Sequence, residues 1–184
     1  QNSGATLLTL LNSLLDLAKI EANKLELKQS ATDLRQLARQ VWMTHLPQAQ
    51  EKSLGCTLDV APDVPATVVC DDVRLTQVLN NLMHNAVKFT QKGQVALRIS
   101  RVGEALHFAV QDTGPGLSPD AQVVVFEKFR QLESFENRRH SGTGLGLALS
   151  RQLVAQMGGQ LQVRSQLNEG SEFFFSIPIQ GTPA

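Results

Sequence analysis

The run from Asp71 to Thr90, DDVRLTQVLNNLMHNAVKFT, carries two patterns at once, and few folds accommodate both. Val73, Leu75, Val78, Leu79, Leu82, Val87 and Phe89 recur every three to four residues, and Asp71 or Asp72 supplies an N-cap, so the run predicts a helix with one face in a core. Asn81, Asn85 and Lys88 fall at i, i+4 and i+7 and share another face of it. A plain polar outer face would account for them. Asparagine is nevertheless a mediocre helix former, and burying a helix asks for no row of two amides and an ammonium.

The residues downstream of the helix favour a site. Two glycine-rich stretches lie there, DTGPGL from Asp112 and GTGLGLAL from Gly142, with Phe126 and Phe129 between them. The second lacks the lysine of the GxxxxGK[ST] phosphate loop and is one residue short of the dinucleotide fingerprint. Its mechanism is related, because Gly142, Gly144 and Gly146 let backbone amides turn inward and the helix after them presents its N-terminal amides to an anion. Triphosphate is the anion this pattern suits best, although a glycine cluster before a helix also serves as a plain turn.

Asp112 closes a strand pattern just before Thr113-Gly114-Pro115-Gly116. It can brace that turn through its own backbone. It can also accept a hydrogen bond from the exocyclic amine of adenine while Gly114 and Gly116 let the flat base approach; guanine offers a carbonyl there, so the carboxylate would select ATP over GTP. The Asn85 amide oxygen suits one of the few protein positions on a magnesium ion, Asn81 can orient a coordinated water, and Lys88 can reach a phosphate oxygen.

Local signals place the remaining elements. Residues 5–27 predict one long helix whose wide leucine swath needs a helical partner, with Leu11, Ala18 and Leu25 seven apart. A domain boundary falls between Leu27 and Asp33, where Gln29, Ser30 and Thr32 break the pattern. A second helix, capped by Asp33 and running to about Gln50, carries Trp42 in the core and a solvated His45, and Pro47 kinks it or ends it early. Strands are predicted at 54–60 and 66–70. A hairpin turning at Gly103-Glu104 comes after the asparagine helix, and Ser118 caps a short helix beginning at Pro119. Residues 130–141 form a charged surface loop, then come a helix to Met157 and strands at 160–165 and 171–179. The strands come in pairs and do not alternate with helices, which argues for an α+β two-layer sandwich, helices on one face of a mixed sheet, over a doubly wound fold.

Composition narrows the partners. The 17 basic and 17 acidic residues cancel, so there is no global field for nucleic acid or an anionic membrane, and bound anions must be held locally. Cys56 and Cys70 read as buried apolar thiols in a reducing cytoplasmic setting. No apolar run is long enough to cross a bilayer, although the parent protein can still be anchored in the inner membrane by segments upstream.

With these residues in view, the chain resembles the ATP-binding domain of sensor histidine kinases, within the wider gyrase, chaperone and kinase ATP-binding superfamily. NNLMHNAVKFT, DTGPGL, FEKF and GTGLGLAL look like its N, G1, F and G2 boxes in order, and LLTLLNSLLDLAKIEANKLEL is similar to the second helix of the preceding dimerisation hairpin. Kinases with such LDLAKIEANKLEL-like and FRQLE-like runs are often hybrid kinases with a receiver domain further on. The resemblance implies a Bergerat-type ATP-binding fold, with the hairpin helix at 1–29, the catalytic domain at 30–180 and a tail at 181–184.

It further implies ATP and Mg2+ as ligands, with the metal on Asn85, Asn81 supporting it and Lys88 on phosphate, these three forming the catalytic set. Asp112 would read adenine, with Gly114 and Gly116 beside it, Phe89 near the base and Ser171 in the place usually held by threonine. Gly142, Thr143, Gly144, Leu145, Gly146 and Leu147 would line the phosphates. Residues 130–141 would be the ATP lid, with Arg130, Arg138 and Arg139 candidates for the γ-phosphate and Phe126 and Phe129 anchoring the lid to the core; His140 would be lid surface and His84 a filler between the asparagines. The implied partners are a response regulator or receiver domain and a second copy through the N-terminal helix.

One departure stands out. None of His45, His84, His107 and His140 lies in the phosphoacceptor context of His-Glu or His-Asp followed by Arg-Thr-Pro, so the acceptor histidine is expected outside this chain. A water-activating ATPase of the superfamily is disfavoured, because its general-base glutamate is replaced here by Asn81, whose amide cannot take a proton. A degenerate nucleotide-sensing module without phosphotransfer is the remaining alternative.

Overall fold

The computed structural model describes residues 3–131 and 143–180. Its elements are α1 (Ser3–Glu21), β1 (Ser30–Asp33), α2 (Leu34–Glu51), β2 (Gly55–Val60), β3 (Thr67–Cys70), α3 (Asp72–Phe89), β4 (Gln94–Val102), β5 (Ala105–Asp112), α4 (Pro119–Val124), α5 (Gly146–Gln156), β6 (Gln162–Gln166) and β7 (Gly170–Pro178). Five strands form one mixed sheet in the order β2-β4-β5-β7-β6, parallel only between β2 and β4. Parallel neighbours need a long crossover, and that crossover contains α3. The asparagine helix is therefore laid across the sheet by topology.

Alternation along the strands sets the core. Val95, Leu97 and Ile99 of β4, Leu106, Phe108 and Val110 of β5 and Phe175 and Ile177 of β7 are all buried. They meet Leu34, Leu37 and Val41 of α2, Leu75, Val78, Leu79 and Leu82 of α3, and Leu149 and Leu153 of α5 in one contiguous cluster. The sheet's other face is covered by side chains such as Phe174, which carries the Arg164 guanidinium 4.4 Å from its ring centroid. The predicted α+β sandwich is the observed one.

Several local expectations need correction. The N-terminal helix stops at Glu21 rather than near residue 27. Asn23 adopts a left-handed φ of 53°, and its amide bonds Ile20 O while the Lys24 amide bonds Lys19 O, the paired C-cap that ends a helix. The seven-residue seam is thereby broken, since Leu25 continues off the helix toward the core. Leu17 and Ile20 are buried on the domain, whereas Leu7, Leu8, Leu11, Leu14 and Leu15 are exposed. Two ion pairs fasten the helix, Asp16 with Arg74 at 2.7 Å and Glu21 with Lys128.

Helix α2 runs through Pro47 to Glu51, as far as expected, so the proline does not cut it short. Proline removes the amide that would bond the carbonyl of Met43, and Met43 is 57% exposed, so water can take that carbonyl. His45 is buried rather than solvated, its Nε2 3.0 Å from Asn80 Oδ1. Trp42 is half-buried, with its indole N–H donating to Cys56 O at 3.1 Å. Strand β1, pairing antiparallel with β3, is an addition to the predicted elements, because SATD is too short and polar to announce itself. Both cysteines are free.

Both ends of α3 are held by charged side chains. At its start Asp71 caps the Arg74 amide and also accepts from Lys28 N at 2.8 Å, so one carboxylate holds the helix and the incoming linker. At its end the Lys52 ammonium lies 2.8 Å from Val87 O, 2.8 Å from Lys88 O and 3.2 Å from Thr90 O. A cation among orphan carbonyls at a helix C-terminus is favourable. Lys52→Met is therefore expected to lower the unfolding free energy by ~1–2 kcal/mol in urea denaturation, with Lys52→Arg retaining part of it. An unchanged midpoint would show that water caps these carbonyls equally well.

Candidate nucleotide site

Helix α3 is the common wall of the site. Asn81 is half-buried on it, its Nδ2 donating to Ser150 Oγ of α5 at 2.9 Å. Its Oδ1 lies so close to Gly146 that a Cβ there would sit 2.4 Å away. Glycine at 146 is thus demanded by the asparagine, and the two elements picked out in the sequence are in contact. The N-cap of α5, Leu145, makes no side-chain cap bond. Helical bonding starts with Leu149 N to Leu145 O at 2.9 Å, so the amides of Gly146, Leu147 and Ala148 have no acceptor within the helix. That end of α5 suits an anion.

At the other end of α3 stands the first glycine turn. Asp112 is only 8% exposed and its Oδ1 accepts from Gly114 N at 2.8 Å. It therefore does brace its turn, and it is also buried beside Ser171, its partner across β5 and β7. Burial pushes its pKa above the ordinary carboxylate value, while the Gly114 and Ser171 backbone amides pull it the other way. Gly116 has a φ of 69°, and a Cβ on it would lie 2.0 Å from Gln166 O. The turn is packed directly against the β6–β7 connection, to which Pro115 O is tied by Asn168 N at 2.8 Å.

Thr90 closes the asparagine-helix run and joins the site through a hydroxyl for which the spacing predicts no role. It is wholly buried and its Oγ1 has no hydrogen-bond partner, a state that leaves a hydroxyl's desolvation uncompensated. A Cβ on Gly114 would lie 2.9 Å from Asp112 Oδ1 and 3.2 Å from Thr90 Oγ1. The hydroxyl and the carboxylate therefore flank the same glycine. Its position one residue past the asparagine helix is the one signal the sequence offers for it.

Between these two ends lie Asn85 and Lys88, both half-buried. The Asn85 side-chain amide has no hydrogen-bond partner among the described residues. Lys88 Nζ is 5.0 Å from the centroid of the Phe89 ring, which is 40% exposed, and desolvation lowers the lysine's pKa. The observed geometry thus offers two amides, that of Asn81 tied to Ser150 and that of Asn85 unpartnered, and an ammonium along one helix face, with a helix N-terminus at one end and a buried acceptor at the other. That set fits a triphosphate with a hard cation and a base bearing an amine.

The two phenylalanines part company. Phe126 packs edge-on against Phe173 at 6.1 Å, whereas Phe129 is 64% exposed and is no core anchor. Its backbone makes the tie instead, with a φ of 61° and its amide donating to Gly144 O at 2.8 Å. Gly144, at φ 68°, is itself packed on that backbone. Arg130 pairs with Glu127 at 3.0 Å. Thr143 Oγ1 accepts from Leu145 N at 3.3 Å, and His84 lies exposed on α3. Gly142, Arg138, Arg139 and His140, with most of the expected lid, lie outside the described residues.

A fold of this topology with this glycine and asparagine set defines a class, and the family model for histidine kinase-, DNA gyrase B- and HSP90-like ATPases matches residues 70–181. The chain belongs to that family. It is 36% identical over its whole length to the signal transduction histidine-protein kinase BarA of Escherichia coli K12 and 38% identical over 99% of it to the sensor histidine kinase GacS of Pseudomonas protegens, covering 20% of each. It spans about a fifth of the length of these relatives. Full-length ShkA in complex with AMPPNP superposes with a TM-score of 0.88 at 38% identity, over 100% of this chain and 38% of that one. Acinetobacter baumannii AdeS shares the fold, with a TM-score of 0.80 over 98% of this chain and 82% of its own at 24% identity.

The raised pKa of Asp112 has a stability consequence. A folded-state value above the unfolded one means the fold binds that proton more tightly, which favours folding at acid pH and is lost as pH rises through the folded value. Asp112→Asn removes the penalty at neutral pH and is expected to raise the melting temperature of the ligand-free chain while abolishing adenine-nucleotide binding. A fall of several degrees, with binding intact, would show a carboxylate that only braces its turn.

Proposed function

We propose that this chain is the ATP-binding catalytic domain of a sensor histidine kinase, delivering the γ-phosphoryl group of Mg-ATP to a histidine outside these 184 residues, for onward relay to a response regulator or receiver aspartate. The observation that carries the reading is that the uncapped end of α5 and the buried Asp112 carboxylate stand at the two ends of the row Asn81, Asn85 and Lys88 on α3. Asp112 and Ser171 read the base, with Phe89 beside it. The amides of Gly146 and Leu147 and the Lys88 ammonium hold phosphate oxygens, with Thr143, Gly144 and Leu145 in the same turn.

Asn85 is the metal ligand and Asn81 its support. Asn81 Nδ2 is committed to Ser150, which leaves the carbonyl oxygen to receive a hydrogen from a coordinated water. Magnesium supplies charge neutralisation across the phosphates, and positioning by this wall supplies the rest of what phosphoryl transfer needs. We place residues 1–29 with the dimerisation hairpin and 30–180 with the catalytic domain. The exposed leucines of α1 then meet a helix of that hairpin or of a second copy. No helix among the described residues is long and apolar enough to cross a membrane, and the reading sets this part of the protein in the cytoplasm.

Calorimetry is expected to show magnesium-dependent ATP binding at millimolar concentration or tighter, and Asn85→Ala to remove the magnesium dependence. Absence of heat with Mg-ATP would refute the assignment. Incubated with γ-labelled ATP, the chain is expected to retain no label, since it lacks the acceptor; stable labelling of any of its four histidines would contradict that. At high concentration it should sediment as an associated species, whereas a strict monomer would show that the leucine face has no partner in a second copy.

A further inference from the structure

The first glycine turn is held largely by a residue outside it, Ser165 on β6. Ser165 Oγ lies 2.7 Å from Leu117 N, 2.8 Å from Gly170 O and 2.8 Å from Ser171 Oγ. A serine hydroxyl has one proton and two lone pairs. The Leu117 amide can only donate, so it takes one lone pair. With that proton on the Gly170 carbonyl, which can only accept, Ser171 donates into the lone pair that remains, and its own proton is turned toward β6, away from Asp112. Gln122 of α4 reinforces the arrangement, its Nε2 donating to Ser165 O at 3.0 Å and Leu117 O at 3.1 Å.

Ser171 stands directly across the β5–β7 ladder from Asp112, and both are 8% exposed. With the serine proton committed elsewhere, the two side chains present acceptors only. We infer that Ser165 is a positioning residue for base specificity: by fixing the direction of the Ser171 proton it makes the Asp112–Ser171 pair a surface that takes an exocyclic amine and repels the carbonyl of an oxopurine. The inference rests on the reading of Asp112 as the base-recognition group. Without Ser165, the Ser171 hydroxyl is free to rotate and donate, and a 6-oxopurine meets a donor where it met two acceptors. Discrimination of this kind comes from leaving buried polar groups unpaired in the wrong complex.

The test is a calorimetric titration of Mg-ATP and Mg-inosine triphosphate into the native chain, Ser165→Ala and Ser165→Thr, with circular dichroism melts alongside. The native chain should prefer ATP, Ser165→Ala should reduce the ATP-to-inosine-triphosphate ratio by roughly tenfold, about one hydrogen bond's worth of discrimination, and Ser165→Thr, which keeps the hydroxyl, should restore it. Equal weakening of both nucleotides in Ser165→Ala, with the ratio intact, would show a brace for the turn and overturn the inference. Should the alanine variant not fold, Ser165→Cys carries the same reading, since a thiol is a poor acceptor for the Ser171 proton. A native chain that binds both nucleotides equally, or neither, would instead refute the assignment of Asp112.

Discussion

The contact between Asn81 and the start of α5 is the interaction on which the site depends. Its amide nitrogen is satisfied by a buried serine, and its oxygen stands where any side chain on Gly146 would be. One asparagine therefore fixes how closely two helices approach and which way the freed amides of α5 face. The hydrophobic cluster around Leu79, Leu82, Leu149 and Leu153 brings the helices together, but burial is non-directional. Direction comes from the amide.

The sheet provides the frame for that contact. Because β2 and β4 are parallel, α3 must cross the sheet, and its C-terminus is delivered beside the end of β5, where Asp112 lies. Lys52 then binds the last carbonyls of α3. Neither Lys52 nor Thr90 belongs to a glycine-rich stretch, yet both act on the stretch between the helix and the first glycine turn. The polar row along α3 is thus bounded by two devices that order backbone, a cation at the C-terminus of α3 and an asparagine at the N-terminus of α5.

Much of this is legible in the sequence because the relevant signals are local. The period of α3, its Asp71 cap, the Gly103-Glu104 hairpin and the Ser118-Pro119 helix start all appear as read. The features that sequence patterns do not reveal are non-local. The early end of α1 is the local exception, since a left-handed Asn23 is a known helix stop that the leucine spacing running on to Leu25 masks. The burial of His45 depends on Asn80, 35 residues away. Strand β1 exists because β3 offers it an edge. Phe129 belongs to the expected pair of residues but in a different role, since a ring pattern says nothing about a backbone φ of 61°. For the site itself, the residue types are evident in the sequence and their hydrogen-bond directions are not.

Those directions bear on why the ligand-free fold tolerates its site. A buried hydroxyl at Thr90 without a partner and a buried carboxylate at Asp112 oppose stability, while three helix amides without an intrahelical acceptor and a half-buried Asn85 amide are left to solvent. They persist because the large core beneath them is well packed and because the two helix ends are capped by Lys52 and Asp71. A nucleotide would satisfy several of these groups at once, and binding and stability would then rise together. The same groups set the limit on stabilising this chain by substitution: neutralising Asp112 or capping α5 with its own side chain would relieve the fold and remove a feature the proposed recognition uses, while a side chain at Gly146 would collide with Asn81.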